Sequence, residues 1–421
     1  MQLESPTMKP KILVVTTRRW FSAARLAMAF AAAECRVEIV CPSRHPVMLT
    51  RGVAARHPLR ALSPVRSLHS AVHRSLPDLV VPTDDFAVAY LHRLYERTPS
   101  IHEGSSSFIQ ALLRRSLGDP ASFLPLASRT KFLASASAEG ISTLPTQDVP
   151  DLPALHQWLS ANALPAVLKA DGTYGGEGVR IVRTEAEAVK AWRTLHAPLS
   201  FAHLVKKTGF ERDSYHVIPW ISRRRRTVSI QPFMHGRDSN IAVACWKGEL
   251  LGAISFDVLR SWRPKGPAAL VELSHNDQML HAARTMVRKL NLSGLCGFDF
   301  LIDDVARRTT LLEINPRATQ TCHLPYGVPR DLIGSLVSAL AGRPLPGLNE
   351  SRRRGIIALF PLAWQSGITR EMLDSTHQDI PWEEPRLVEA GFAGNERSFY
   401  EKCVQVWARI NATGQFAGES K

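Results

Sequence analysis

Short apolar runs and longer amphipathic stretches take turns along the first hundred residues. KILVVTT (Lys11 to Thr17) is a compact apolar run with β-branched residues, FSAARLAMAFAAAE after it has helix-forming composition, and RVEIVCP is a second short run closed by Pro42. DLVVPTDD repeats the pattern and leads into the helix-like DFAVAYLHRLYER. Strand-length runs separated by helix-length stretches predict βαβ units and a parallel, Rossmann-like sheet. SFIQALLRRSLGDPASFLPLASRTKFLASASAEG reads as helical, and ISTLPTQDVPDLP as a proline-rich connection. From PAVLKADGTYGGEGVRIV onward the pattern turns strand-rich, with VSIQPFM, NIAVACW and ELLGAISF. DQMLHAARTMVRKLNL has helical period, GFDFLID and TTLLEIN read as two strands joined by the polar turn DVARR, and DLIGSLVSALAG is a further helix. The tail from Arg352 to Lys421 is less regular.

One stretch breaks the pattern. In LLEINPRATQ, residues 311–320, the apolar positions Leu311, Leu312 and Ile314 predict a buried strand, yet Glu313, Asn315 and Arg317 recur at every second position. Side chains alternate faces along a strand, so an acid, an amide and a base share one face. Burying them side by side is costly unless each has a partner.

Composition narrows the setting. A chain of 421 residues, 45% hydrophobic and 21% charged, predicts a soluble globular protein of two to three domains. No apolar run is long enough to span a membrane, and the opening MQLESPTMKP lacks the apolar core of a secretory signal. The six cysteines, Cys35, Cys41, Cys245, Cys296, Cys322 and Cys403, form no CxxC pair, which suits reduced thiols in a cytoplasm. The formal net charge of +14 admits nucleic acid, a membrane surface or anionic small molecules as partners. The basic residues are dispersed apart from Arg223 to Arg226 and Arg352 to Arg354, with no zinc-finger or RNA-binding aromatic signature, so a solvated basic surface is favoured over nucleic acid. The turn after the first strand, TTRRWFS, has no GxGxxG, which disfavours a dinucleotide site there.

Two motifs carry chemistry. KADGTYGGEGV (Lys169 to Val179) sets a lysine at a strand end before a glycine-rich turn and a second strand. Glycines let backbone N–H groups approach phosphate oxygens, and the lysine adds positive charge. No GK[ST] occurs, so this is not a Walker A loop; a Gly-rich hairpin without a ligand accounts for it equally well. GFDFLIDDVARRTTLLEINPR is more specific. A hairpin brings Asp299 opposite Glu313, with Asn315 beside them. Hard oxygen ligands of this kind suit Mg, and Arg317 could hold a phosphate or carboxylate bidentately. A structural Glu313–Arg317 ion pair is the plainer alternative, and it leaves Asn315 unexplained.

These stretches resemble the ATP-grasp superfamily, of the carboxylate–amine ligase type with a carbamoyl-phosphate-synthetase-like ATP-binding domain. RTKFLASASAEGISTLPT resembles the family's opening segment, VLKADGTYGGEGVRIV its lysine and flexible Gly-rich loop, QPFMHGRDSNIAV its hinge, and FDFLIDD with LLEINPR its metal-binding end. Four motifs in order cover roughly residues 125–325. The resemblance implies an α/β chain with an N-terminal Rossmann-like domain over residues 1–120, a lid domain over 121–235, a nucleotide- and metal-binding domain over 236–345, and a C-terminal extension over 346–421. It implies ATP with Mg or Mn as cofactors. Lys131 and Lys169 would contact phosphates, and Gly172, Gly175, Gly176 and Gly178 would form the lid over them. Backbone groups near Phe233 and Met234 would bind the adenine edge, and Asp238 would stand in for a ribose-binding glutamate. Asp299, Glu313 and Asn315 would hold metal, and Arg317 would face the transferred phosphate. Two departures stand out: Pro232 occupies a hinge position that often carries a glutamate, and Asp238 is one methylene shorter than the usual residue.

The reaction so implied is activation of a small-molecule carboxylate as an acylphosphate, attacked by an amine or less often a thiol, with release of ADP and phosphate. A homo-oligomer is compatible with this reading. A nucleotide-binding regulator that keeps the fold without turnover, or an RNA- or anion-binding protein using Arg223 to Arg226, are the competing classes. Cys322 and His323, adjacent after the metal strand, read as pocket-lining rather than as a nucleophilic pair. Asp84 in TDDF reads as a helix cap. TTRRW and WRPKGPAALVE read as loops placed where substrate contacts would fall.

Overall fold

The computed structural model describes residues 9–98, 104–173, 176–198, 225–264, 266–327, 329–347 and 355–393. Its first layer follows from the apolar runs noted above. β1 (Lys11–Val15), β2 (Arg36–Cys41), β3 (Val53–Pro58) and β4 (Leu79–Pro82) form a parallel sheet in the order β3-β2-β1-β4. β1 from Ile12 onward and all of β4 are apolar because helices cover both faces, as parallel sheets require. α1 (Phe21–Ala32) buries Ala23, Ala24, Leu26, Ala27 and Phe30 on one face. α2 (Pro64–Ser75), α3 (Asp85–Arg97), α4 (Gly104–Leu117) and the short α5 (Phe123–Leu126) build the core on the other. β3, an edge strand, escapes the apolar-run pattern because Ala54, Arg56 and Pro58 are exposed and the buried His57 is polar, its Nε2 2.8 Å from Glu38 Oε2.

A second sheet is antiparallel and separate. β5 (Gln147–Asp148), β6 (Ala166–Ala170), β7 (Val179–Val182) and β8 (Val228–Pro232) run in the order β5-β8-β6-β7. α7 (Leu152–Ala161) and α8 (Glu185–His196) close over it, giving this unit its own core around Leu155, Trp158, Leu168 and Ile230. The proline-rich connection therefore contains more than a linker: Asp151 accepts from the Ala154 amide at 2.9 Å and starts α7, with Pro153 in its first turn.

The third sheet has seven strands. β9 (Arg237–Trp246), β10 (Glu249–Ser261), β11 (Ala268–Ser274), β12 (Gly294–Asp303) and β13 (Arg308–Asn315) are joined by two strands from the C-terminal tail, β14 (Ile356–Leu359) and β15 (His377–Asp379). The tail is thus structural: β14 pairs antiparallel with β11, and β15 parallel with β14. One face is covered by α6 (Arg129–Ala138) and α9 (Asp277–Lys289), which bury Phe132, Met279, Met286 and Phe298 together. The other face carries α10 (Leu332–Leu340) and shares one continuous core with the N-terminal sheet, from Ile12 and Phe30 to Leu336 and Leu387. No helix among the described residues is long and apolar enough to cross a membrane.

Candidate active site

A cavity of about 540 Å³ opens where the three sheets meet. Its acidic wall is set by an irregularity in the hairpin of β12 and β13. Asp299 pairs with Glu313, but Phe300 pairs with Leu311, so Leu312 is an extra residue. Such a bulge reverses the facing of the side chains beyond it. Leu311 turns into the core with Phe300, and Glu313, two positions on, turns the other way onto the cavity wall. Strict alternation would have put Leu311 on the same face as the acid.

The polar groups form one unbroken chain. Asn315 Nδ2 donates to Asp299 Oδ2 at 2.9 Å, and Asn315 Oδ1 accepts from Arg317 Nη2 at 2.9 Å. Arg317 then closes a two-point contact on Asp85, with Nε to Oδ1 at 2.8 Å and Nη2 to Oδ2 at 3.3 Å. At the other end Arg129 joins Glu313 Oε2 at 2.7 Å to Asp171 Oδ1 at 3.0 Å, so a single guanidinium ties the seven-stranded sheet to the Gly-rich turn. The Glu313–Arg317 ion pair weighed from sequence is not formed: each residue has a different partner.

Electrostatics follow from this crowding. Burial pushes the Asp299 carboxyl up, and the neighbouring Glu313 charge pushes it further. Burial also works against ionised Glu313, but the Arg129 and Lys169 charges outweigh it and hold that carboxyl well below the usual range. Lys169, 8% exposed at the end of β6, is pushed down to about 8 by burial and by the Arg129 charge, against the pull of Glu313, Asp299 and Asp238.

Most residues singled out from sequence come together here. Lys169, Gly176, Phe233, Met234, Asp238, Asp299, Glu313, Asn315 and Arg317 all line the cavity. Gly172 and Gly176 have φ of +69° and +76°, a backbone that side chains rarely tolerate, and a Cβ on Gly178 would collide with the Thr173 hydroxyl. Gly175 lies outside the described residues, as do Arg223 and Arg224. Lys131 is a correction. It is exposed on α6 and does not line the cavity, whereas Arg129 reaches the acids. Two residues along a helix turn about 200°, so both cannot face the same wall. Sequence reasoning also missed Asp171 and Asp85, whose motifs were read for their glycines and for the Asp84 cap.

Asp84 does cap α3, accepting from Ala87 N at 2.9 Å, and it also accepts from Thr17 N at 2.6 Å. Cys322 is fully buried, its thiol pushed up to about 11 by burial, and His323 Nε2 lies 2.9 Å from Asp379 Oδ2, so no thiol–imidazole pair exists. In TTRRW, Trp20 lines the cavity and Arg18 sits 5.9 Å from its ring. In WRPKGPAALVE, Gly266 and Pro267 line the cavity before β11 begins at Ala268.

Residues 129–324 match the family described as carbamoyl-phosphate synthase L chain, ATP binding domain. This stretch is similar to an ATP-grasp ATP-binding domain. Solved structures agree with this fold. The biotin carboxylase domain of Hydrogenobacter thermophilus 2-oxoglutarate carboxylase, in complex with MgADP, ADP and bicarbonate, superposes with a TM-score of 0.57 at 14% identity, over 82% of this chain and 73% of that one. Campylobacter jejuni biotin carboxylase gives 0.57 at 16%, over 84% and 75%. N5-carboxyaminoimidazole ribonucleotide synthetase from Thermus thermophilus gives 0.55 at 17%, over 82% of each chain. A search of curated proteins returned no significant match. The matched stretch runs from α6 to the turn after β13, and every member of the acid–amide–guanidinium chain except Asp85 lies inside it.

Proposed function

We propose that the chain is an ATP-dependent ligase. It activates a small-molecule carboxylate as an acylphosphate for attack by an amine, releasing ADP and phosphate. The observation that carries this reading is the continuous run Lys169, Glu313, Asp299, Asn315 and Arg317 along one cavity of an ATP-grasp domain. The N-terminal parallel sheet serves as its Rossmann-like partner domain, and the antiparallel sheet of β5 to β8 as its lid.

The residues fit a divalent cation. Two half-buried carboxylates face each other, and burial, then the Glu313 charge, keeps Asp299 protonated more readily than an ordinary aspartate. A cation between such acids relieves their repulsion. Asp299 and Glu313 would hold Mg, with Asn315 orienting Asp299; the Asn315 oxygen, given to Arg317 here, would have to change partners to serve as a third ligand. Mg supplies charge neutralisation at the nucleotide phosphates and commonly takes only one or two protein carboxylates. Among the described residues no three histidines, cysteines or acids cluster, which accords with that sparse demand.

Each side chain then has a physical task. Val167, Ile181, Phe233 and Met234 give the adenine an apolar slot between β6, β7 and the hinge. Lys169 brings a positive charge to the phosphates at the base of the Gly-rich turn. Arg317 stands beyond the acids, where its guanidinium neutralises charge on the phosphoryl group in flight. Such transfer needs positioning and charge more than a protein nucleophile, in keeping with the inert Cys322.

The test is a screen of carboxylates with amino acids, ATP and Mg, reading ADP and phosphate release and product mass. ADP release that depends on both a carboxylate and an amine supports the ligase. AMP as the dominant product, or no substrate-dependent turnover in an ATP-binding protein, removes it.

A further inference from the structure

The cavity has an end that the nucleotide and metal groups leave unused. There Asp85 of the N-terminal layer pairs with Arg317, whose guanidinium lies 6.0 Å from the Trp20 ring. Four carboxylates line the cavity wall among the described residues: Asp85, Asp238, Asp299 and Glu313. Asp238 stands by the hinge, and Asp299 and Glu313 face each other as the proposed cation site. Asp85 alone comes from outside the ATP-grasp domain.

We propose that Asp85, beside the Trp20 ring, is the receptor for a positively charged amine on the acceptor substrate. This rests on the ligase reading above and adds to it the charge class of the second substrate. Adjacent acids at the start of α3 divide the work. Asp84 is 1% exposed and spends its oxygens on Thr17 and the Ala87 amide, which fixes the helix start. Asp85, one residue on, keeps 39% of its side chain exposed at the cavity. The pair is lopsided in its exposure, with the acid left open to the cavity. Arg317 itself is only 10% exposed.

The geometry favours a cation over an anion. Arg317 grips one edge of the carboxylate with Nε and Nη2. A carboxylate has about four acceptor positions, so the remaining ones can take an ammonium without opening that pair. Trp20 adds an electron-rich wall that already has two guanidinium groups near it, Arg18 at 5.9 Å and Arg317 at 6.0 Å. A second anion placed there would face the Asp85 charge while the nearest guanidinium is already committed to it. Position fits as well. Asp85, Arg317, Asn315 and Asp299 are linked by consecutive hydrogen bonds, so a substrate amine at Asp85 stands one guanidinium away from where Arg317 would meet the phosphoryl group.

The experiment compares, on one acylphosphate, amines that arrive as ammonium ions and give up a proton to solvent before attacking with a nucleophile that is uncharged from the start. Carboxylates are first screened with ATP, Mg and hydroxylamine, which is uncharged at mildly alkaline pH and traps an acylphosphate as a hydroxamate. The accepted carboxylate is then assayed with the twenty amino acids and putrescine as cationic amines. The inference expects a cationic amine as the preferred acceptor. In Asp85→Asn its KM should rise about tenfold or more, about 1.4 kcal/mol, while the KM for hydroxylamine rises far less; Asp85→Glu should restore most of the preference. Equal losses for both nucleophiles would mean that Asp85 acts only by holding Arg317, and would overturn the inference while leaving the ligase intact. An unchanged amine KM in Asp85→Asn overturns it directly. If no carboxylate gives hydroxamate or ADP, the ligase reading falls and takes this inference with it.

Discussion

Arg129 Nη2 lies 2.7 Å from Glu313 Oε2, while its Nη1 lies 3.0 Å from Asp171 Oδ1. One guanidinium therefore neutralises acids on two different sheets. Removing it strands two negative charges in a crowded site, and an uncompensated buried charge is among the costlier defects a protein can carry. Arg129→Ala should destabilise the protein by about 3 kcal/mol in urea unfolding. Lys131→Ala, on the exposed face of the same helix, should stay within about 0.5 kcal/mol. Equal effects would return Lys131 to the site.

Glu313→Gln tests the proposed cation site directly. The substitution keeps shape and removes the hard anionic ligand. Substrate-dependent ADP release should fall by roughly two orders of magnitude or more while circular dichroism and the unfolding transition persist. Near-normal turnover in a folded variant would remove Glu313 from the metal set.

The contrast between those two residues shows what could be read from the chain. Glu313 was legible because an acid interrupting an apolar strand is costly, and the cost demands a reason. Three of the four parallel N-terminal strands, β1, β2 and β4, were legible as short apolar runs, since strands covered on both faces are rich in apolar residues. Arg129 was not legible: in RTKF two cations lie two positions apart on a helix, and only packing decides which one turns inward. Asp85 was hidden by its neighbour, because capping explains one acid in TDDF and says nothing of the second. The bulge at Leu312 changes a strand's facing without leaving a signature such as glycine. β14 and β15 are only four and three residues long, too short for any periodicity to announce them.

The Gly-rich turn should be intolerant at Gly176. Its φ of +76° is a conformation that costs ordinary residues about 1–2 kcal/mol and β-branched ones more. Gly176→Val should lower turnover at least tenfold through lost backbone approach to phosphates, with a smaller change in overall stability because the turn lies outside the core of β5 to β8. Hydrogen exchange of the Gly172 to Gly178 amides should slow when ATP and Mg are added. Exchange that is the same with and without nucleotide would show that the turn is no lid.

If Lys169 meets the nucleotide phosphates as proposed, it should set a pH limit on nucleotide binding. Burial and the Arg129 charge bring its ammonium down to about 8, so in the free protein it loses its charge as the pH climbs past that value. Bound phosphates favour the charged form and shift it back up. The KM for ATP should therefore rise above pH 8, where binding must first protonate the lysine, while kcat at saturating ATP changes less. Lys169→Arg keeps its charge throughout this range and should flatten that rise, at whatever cost in absolute affinity. A wild-type KM that stays level from pH 7 to 9 would show that Lys169 does not meet the phosphates.

Acid should loosen the joint between the N-terminal layer and the C-terminal strands. Asp379 on β15 accepts from Arg25 Nη2 at 2.5 Å and lies 2.9 Å from His323 Nε2. Burial alone would raise its carboxyl, but the His323 and Arg25 charges outweigh burial and hold it below the ordinary aspartate value. A carboxyl whose folded pKa is depressed contributes stability above its unfolded pKa, about 3.9, and that contribution disappears as the pH falls through the lower folded value. Asp379→Asn should therefore cost about 2–3 kcal/mol at pH 7, where it leaves Arg25 only the exposed Glu383 carboxylate at 3.6 Å, and progressively less below about pH 4, where the wild type protonates the same group. Urea unfolding of both proteins at pH 7, 5 and 3 reads the difference. A gap that stays constant down to pH 3 would mean that the carboxylate charge is not what holds Arg25 and His323 to the last strand of the sheet.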